Sequence, residues 1–201
     1  MSAPSIDPTI GDVVHAAAGS GPLLQRDYVA TLESGPCSPE DLARLVRERF
    51  VEFGPRETAA FERPGGGEGP LQVGDEMAIR IGGLMPCRVR VAQADDLCLT
   101  LRTMCGHPEA GRISFKAGRD DEGRLTFHIR SRARSGGLLH YLGFLVLGRT
   151  MQARCWIRFL GRLAEACGGG LAGPVRVATT RVELSPDDCQ GPDRSTFEGG
   201  D

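Results

Sequence analysis

Lysine is nearly missing from this chain: Lys116 is the only one, and arginine supplies the rest of the basic charge. The bias follows genome composition more simply than a need for bidentate anion contacts, so it names no partner. Charge of one sign is not in excess either. A formal net charge of -2 removes any global pull toward nucleic acid or an anionic membrane. The seven cysteines include no C-x-x-C pair and no zinc-like spacing, and no metal site is expected. Their odd number argues against a closed disulfide set, and several sit at apolar positions where a free thiol acts as a small hydrophobe. A reducing, cytoplasmic setting follows.

Long apolar runs are also lacking. The longest, Leu138 to Gly148, is broken by His140 and ends at Arg149, short of the roughly 20 residues a spanning helix needs. The start Met1-Ser2-Ala3-Pro4 has neither a basic region nor a continuous apolar one, so no secretory leader is expected. The glycine-rich stretch from Pro64 to Pro70 lacks the Walker-type lysine of a phosphate cradle and reads as a hairpin loop. At 201 residues the core can stand without metal or disulfide, and no cofactor is implied.

What is present is order. Five short segments alternate with period two: Met77 to Ile81, Cys87 to Val91, Leu97 to Leu101, Ile113 to Ala117 and Leu125 to Ile129. Short turns separate them, which favours antiparallel neighbours with one buried and one wet face. Upstream, Leu24 to Leu32 reads as a strand. Ser38-Pro39-Glu40-Asp41 opens a helix that Gly54-Pro55 ends, glycine there tolerating a left-handed cap. Thr58 to Glu62 is a further short strand. Downstream, Leu138 to Cys167 reads as one long helix with Tyr141, Leu145, Trp156, Phe159, Leu160 and Leu163 on its apolar side. At ~1.5 Å per residue such a helix can cross the whole sheet. The prediction is an α+β fold, a curved antiparallel sheet of about six or seven strands wrapped around a long C-terminal helix. An extension over 1–22 precedes the ligand-binding domain at 23–170. A second extension, 171–201, is acidic and expected to be disordered from about 185, with five acids and one arginine from Ser185 on.

This order resembles the helix-grip fold of START-like and birch-pollen-allergen-like proteins. More narrowly, Pro86-Cys87-Arg88-Val89 followed by Gly106-His107-Pro108-Glu109-Ala110-Gly111 is similar to the paired signature of uncharacterised protein family 0548. The resemblance covers roughly Tyr28 to Cys167. It implies the fold and, by wider analogy, a hydrophobic ligand, but brings no catalytic residues with it. Just after Gly111, where the family places acids, this chain has Arg112-Ile113-Ser114.

His107 and Glu109 are the sharpest candidates for chemistry, an imidazole and a carboxylate on one tight loop that can act as acid and base. The simpler role for both is bracing that loop, and the pair matters catalytically only if it points into a cavity. Candidate ligand contacts are Tyr28, Leu99, Leu101, Phe115 and Phe127 on the inner sheet face, with His140 and Tyr141 at the entry of the last helix. His128 has outward parity, and Cys105 is a weak thiol candidate. The basic outer stripe, which includes Arg88, Arg102, Arg130 and Arg132, lacks interleaved aromatics; nucleic acid is not expected, and a solvated face or a dock for the acidic tail explains it better. The expected function is binding of a small, largely apolar metabolite, a lipid, polyketide-like or isoprenoid compound. The alternatives are a cyclase, dehydratase or hydrolase that uses His107 and Glu109, and a protein-interaction module. Oligomeric state is not encoded in any of these features.

Overall fold

Alternation in the sequence becomes a run of strands longer than the apolar segments that signal them. The computed structural model describes residues 13–33, 35–83, 85–136 and 138–189, with 138–149 and 187 as main chain only. The order is β1 (Ser20–Thr31), α1 (Pro39–Phe53), β2 (Ala59–Glu62), β3 (Glu76–Ile81), β4 (Met85–Ala94), β5 (Cys98–Thr103), β6 (Glu109–Arg119), β7 (Leu125–Ser135), α2 (Leu138–Ala166) and β8 (Arg176–Val182). The strands form one antiparallel sheet in the order β2-β3-β4-β5-β6-β7-β1-β8. Both helices pack on its concave face, which is the helix-grip arrangement.

Among the described residues the sheet has eight strands, against the six or seven expected. The addition, β8, pairs with β1 from Leu23↔Val182 to Val29↔Arg176. Its side chains are almost all exposed, so it has no apolar alternation and is defined by main-chain pairing alone.

α1 starts as the sequence dictates. Ser38 Oγ accepts from Asp41 N at 3.1 Å while Asp41 Oδ2 accepts from Ser38 N at 3.0 Å, a reciprocal cap behind Pro39. Its end differs from expectation, because Gly54 has φ of -65°, not a left-handed value. Glycine is needed there because a Cβ would collide with the Phe61 ring. Phe50 then packs edge-on against Phe61 and Phe115, with centroids at 5.3 and 5.1 Å, and Phe159 of α2 closes the cluster at 5.2 Å from Phe50. Trp156, Phe159, Leu160 and Leu163 are buried as the helical stripe requires; Tyr141 and Leu145 lie outside the described side chains.

One expectation about the cysteines is corrected. Cys37 and Cys167 form a disulfide with Cα atoms 5.8 Å apart. The loop entering α1 and the end of α2 meet although 130 positions separate them, and an odd total leaves room for one bridge. The bridge removes the cysteine argument for a reducing compartment. Among the described residues, no helix is long and apolar enough to cross a membrane.

Of the tail expected to be disordered from about 185, residues 185–189 are among those described and the rest lie outside them. Pro186–Asp188 is a 3-10 turn, and Asp188 is 1 % exposed against the convex face. Arg132 donates to both its carboxylate oxygens, at 3.1 and 2.7 Å, and Arg112 Nη1 lies 3.5 Å away. Burial pushes the Asp188 carboxyl up, but the Arg132 bond, the Ser185 bonds and the Arg112 charge hold it down at about 2. The arginine stripe thus docks part of the tail. At the other terminus His15 Nδ1 accepts from Arg102 Nη1 at 2.8 Å. The outer face is therefore not wholly wet, since Arg102 and Arg112 are each only 5 % exposed beneath these segments.

Candidate functional site

The Gly106–Gly111 segment carries the chain from β5 into β6, and each of its residues has a distinct physical task. Gly106 takes φ of 87°, a left-handed turn that glycine adopts without penalty. His107 Nδ1 lies 3.0 Å from both the Glu109 main-chain N and the Glu109 carbonyl oxygen, so the ring braces the loop by accepting from the one or donating to the other. Pro108 offers its carbonyl to Gly136 N at 2.7 Å, tying the loop to the end of β7. Gly111 approaches β7 so closely that a Cβ would collide with the Arg132 carbonyl oxygen. Thr103 Oγ1 accepts from Gly111 N at 2.9 Å and fixes the same point to β5.

Glu109 is the residue this bracing presents to the interior. Its parity in β6 is that of Phe115 and Ala117, the concave face, and it is 9 % exposed. Its Oε1 accepts from Arg26 Nη1 of β1 at 2.7 Å, and Gln152 Nε2 of α2 approaches its Oε2 at 3.5 Å. A charge pair, an amide and a helix therefore converge inside the grip.

Beside this group lies a cavity of about 110 Å³, between β2 to β5, the start of β6 and the middle of α2. Phe61, Ile79, Ile81, Val89, Leu101 and Trp156 make its walls largely apolar. His107, Glu109, Arg112, Ser131 and Gln152 are among the residues that add polar atoms. Burial lowers the His107 pKa from its usual value, against the opposing pull of the Glu109 charge, and favours the neutral ring. Burial likewise pushes the Cys155 thiol up to about 11, so it is not a ready nucleophile. Among the described residues, no group of three or more His, Cys, Asp or Glu could hold a metal ion.

The geometry sorts the candidates read from sequence. His107, Glu109 and Leu101 line the cavity. Tyr28, Leu99, Phe115 and Phe127 do not; each is at most 2 % exposed in the packed core, where Phe50 and Phe159 fill the middle of the concave face, and the cavity lies toward β2 and β3. Burial also holds the Tyr28 hydroxyl neutral, raising it to about 12. The His107 imidazole meets the Glu109 main chain, as the bracing role requires. His128 lies on the convex face, with Nε2 2.7 Å from Asp27 Oδ1, and Cys105 is exposed. The side chains of His140 and Tyr141 lie outside those described.

Sequence reasoning passed over Arg26 and Gln152. Arg26 interrupts the apolar parity of Tyr28 and Ala30, and Gln152 lies one turn before Trp156 on the inner face of α2. A charge or amide at a core-facing position was the available signal.

Solved structures share the fold at low identity. The solution structure of KanY protein superposes with a TM-score of 0.52 at 12 % identity, covering 75 % of this chain and 100 % of that one. The di-domain ARO/CYC StfQ from the steffimycin biosynthetic pathway gives 0.50 at 13 %, covering 72 % of this chain and 50 % of that one. No curated protein matches the sequence. A family model described as "Domain of unknown function (DUF1990)" matches residues 49–162, more than half of the chain and the whole stretch from the end of α1 to near the end of α2. The protein belongs to the DUF1990 family, with a helix-grip fold.

Proposed function

We propose that the protein binds a small, largely apolar molecule in the cavity between the sheet and α2, and that residues 23–170 form the binding domain. The observation that carries this reading is the apolar wall of Phe61, Ile79, Ile81, Val89, Leu101 and Trp156 around about 110 Å³ of space. An apolar cavity of about 150 Å³ accepts benzene; this one, at about 110 Å³, takes a single ring or a short chain when its walls yield slightly. A longer lipid, polyketide-like or isoprenoid compound requires side chains to yield, and Met151, unbranched and flexible at the cavity margin, is the one best able to do so. The finer kinship with uncharacterised protein family 0548 rests on Pro86–Val89 and Gly106–Gly111, whose glycines, proline and carboxylate all serve the cavity loop.

A second reading is an enzyme of cyclase, dehydratase or hydrolase type. It is favoured by one observation: a carboxylate and a neutral imidazole line the same apolar space. In that reading Glu109 takes a proton and the His107 ring donates one.

Native mass spectrometry of the protein purified from its source tests the first reading. A co-purifying compound of a few hundred daltons or less, retained at low collision energy and lost on unfolding, is the expected result. A bare chain that also fails to take up small apolar compounds overturns it. For the second reading, H107A or E109Q should abolish turnover of the retained compound while leaving its binding within a fewfold.

A further inference from the structure

We propose that the tip of the β3–β4 hairpin docks the protein on an anionic lipid surface. The tip reads Ile81-Gly82-Gly83-Leu84-Met85, a stretch without a charge. Gly82 and Gly83 take φ of 58° and 75°, so the glycines alone meet the demands of the turn, and folding asks for nothing apolar beside them. Met85 is nevertheless 41 % exposed, opposite Ile81 in the strand register.

Positive charge gathers at the same end of the sheet. The turn between α1 and β2 lies against the tip, with Gly82 N donating to Thr58 O at 2.9 Å, and it carries the exposed Arg56. Arg80, opposite Pro86, is exposed immediately before the tip. α2 reaches this turn through Arg158, whose Nη1 is 3.5 Å from Glu57 Oε2, and the exposed Arg154 precedes it by one helical turn. Among the described residues, no carboxylate pairs with Arg56, Arg80 or Arg154. Apolar side chains beside unpaired guanidinium groups suit the boundary between headgroups and acyl chains, where arginine meets lipid phosphate with two parallel bonds. A second copy of the chain would instead set arginine against arginine.

The cavity reaches this end as well, since Thr58, Ala59 and Ile81 line it and Ile81 pairs with Met85. Docking here places an apolar space beside the phase in which apolar molecules dissolve. The proposal goes beyond the cavity reading and stands on surface groups that the reading does not use.

Co-sedimentation of the full chain with phosphatidylcholine vesicles, with and without phosphatidylserine, tests this. The expected result is binding about tenfold tighter to the phosphatidylserine vesicles, a difference that high salt removes. Met85→Asp should weaken binding to them about tenfold, and Met85→Ser serves if the aspartate variant does not fold. The double variant Arg56→Gln/Arg80→Gln should bring the two kinds of vesicle to within about threefold of each other. Absence of binding, equal binding to both vesicles, or unchanged binding in either variant overturns the proposal and leaves the cavity reading standing. A dimer that Met85→Asp dissociates, with vesicles unbound, also overturns it and assigns the tip to a second copy.

Discussion

Arg26 Nη1 donates to Glu109 Oε1 at 2.7 Å across 83 positions of sequence, and the two side chains are only 5 % and 11 % exposed. The bond spans the concave face, since Arg26 is opposite Ser131 on β7 and Glu109 lies on β6, at the other edge of that strand. A buried pair of this kind stabilises less than its Coulomb attraction suggests, because both groups lost their water. Losing one partner is the costly event.

R26M and E109Q should therefore each lower unfolding free energy by about 3 kcal/mol or more, by stranding or unbalancing the other charge. The double variant R26M/E109L should lose much less than the sum of the two. Urea denaturation followed as a double-mutant cycle measures this, and additive losses would show that the residues act separately.

Protons should act on the loop through His107. Burial sets its folded pKa below the unfolded value of 6.5, so below pH 6.5 the unfolded chain takes up a proton that the native ring resists. Stability should accordingly fall as pH drops below 6.5 and level off beneath the folded pKa. His15 is shifted in the same direction by burial and Arg102, and contributes to the same slope. H107N should remove part of that slope and H15N another part. A pH profile unchanged by H107N counts against a buried neutral imidazole.

The Cys37–Cys167 bridge closes a loop of most of the chain. C37S, or reduction of the wild type, should lower stability by about 2–5 kcal/mol, read from the shift of the thermal midpoint. Identical midpoints with and without reductant would mean that the bridge contributes nothing to the native state.

The tail should behave as part of the fold. Asp188 has a depressed folded pKa, so its contribution is complete above the unfolded value of 3.8 and is lost as pH falls through about 2. D188N should cost about 2–4 kcal/mol at neutral pH by leaving Arg112 and Arg132 without their shared carboxylate, with a smaller penalty near pH 2. Hydrogen exchange at the β8 and β1 amides should report the same loss locally.

The architecture was legible wherever side chains carried a period. Met77, Ile79, Val89, Val91, Phe115 and Phe127 alternate and are buried, and Ser38-Pro39 marks its helix start. β8 was not legible, because its side chains face water and only its main chain bonds to β1. The Asp188 clasp was hidden in an acidic segment whose composition alone signals disorder. The candidate site was legible as a loop, through His107 and Glu109, but not as a volume. Which inner-face residues meet open space depends on how Phe50 and Phe159 fill the sheet, and alternation cannot separate Leu101 at the cavity from Leu99 in the core. Arg26 was present as a charge in an apolar register, though its partner lies too far along the chain for any local pattern to reveal.

Trp156, the sole tryptophan, stands in the cavity wall and reports directly on its occupancy. Toluene titration followed by Trp156 fluorescence, in wild type and in an A133F variant whose ring fills the cavity floor, tests the apolar cavity most directly. A saturable change in the wild type that A133F abolishes while remaining folded is the expected result. No saturable change in the wild type, or the same change in both proteins, would contradict it.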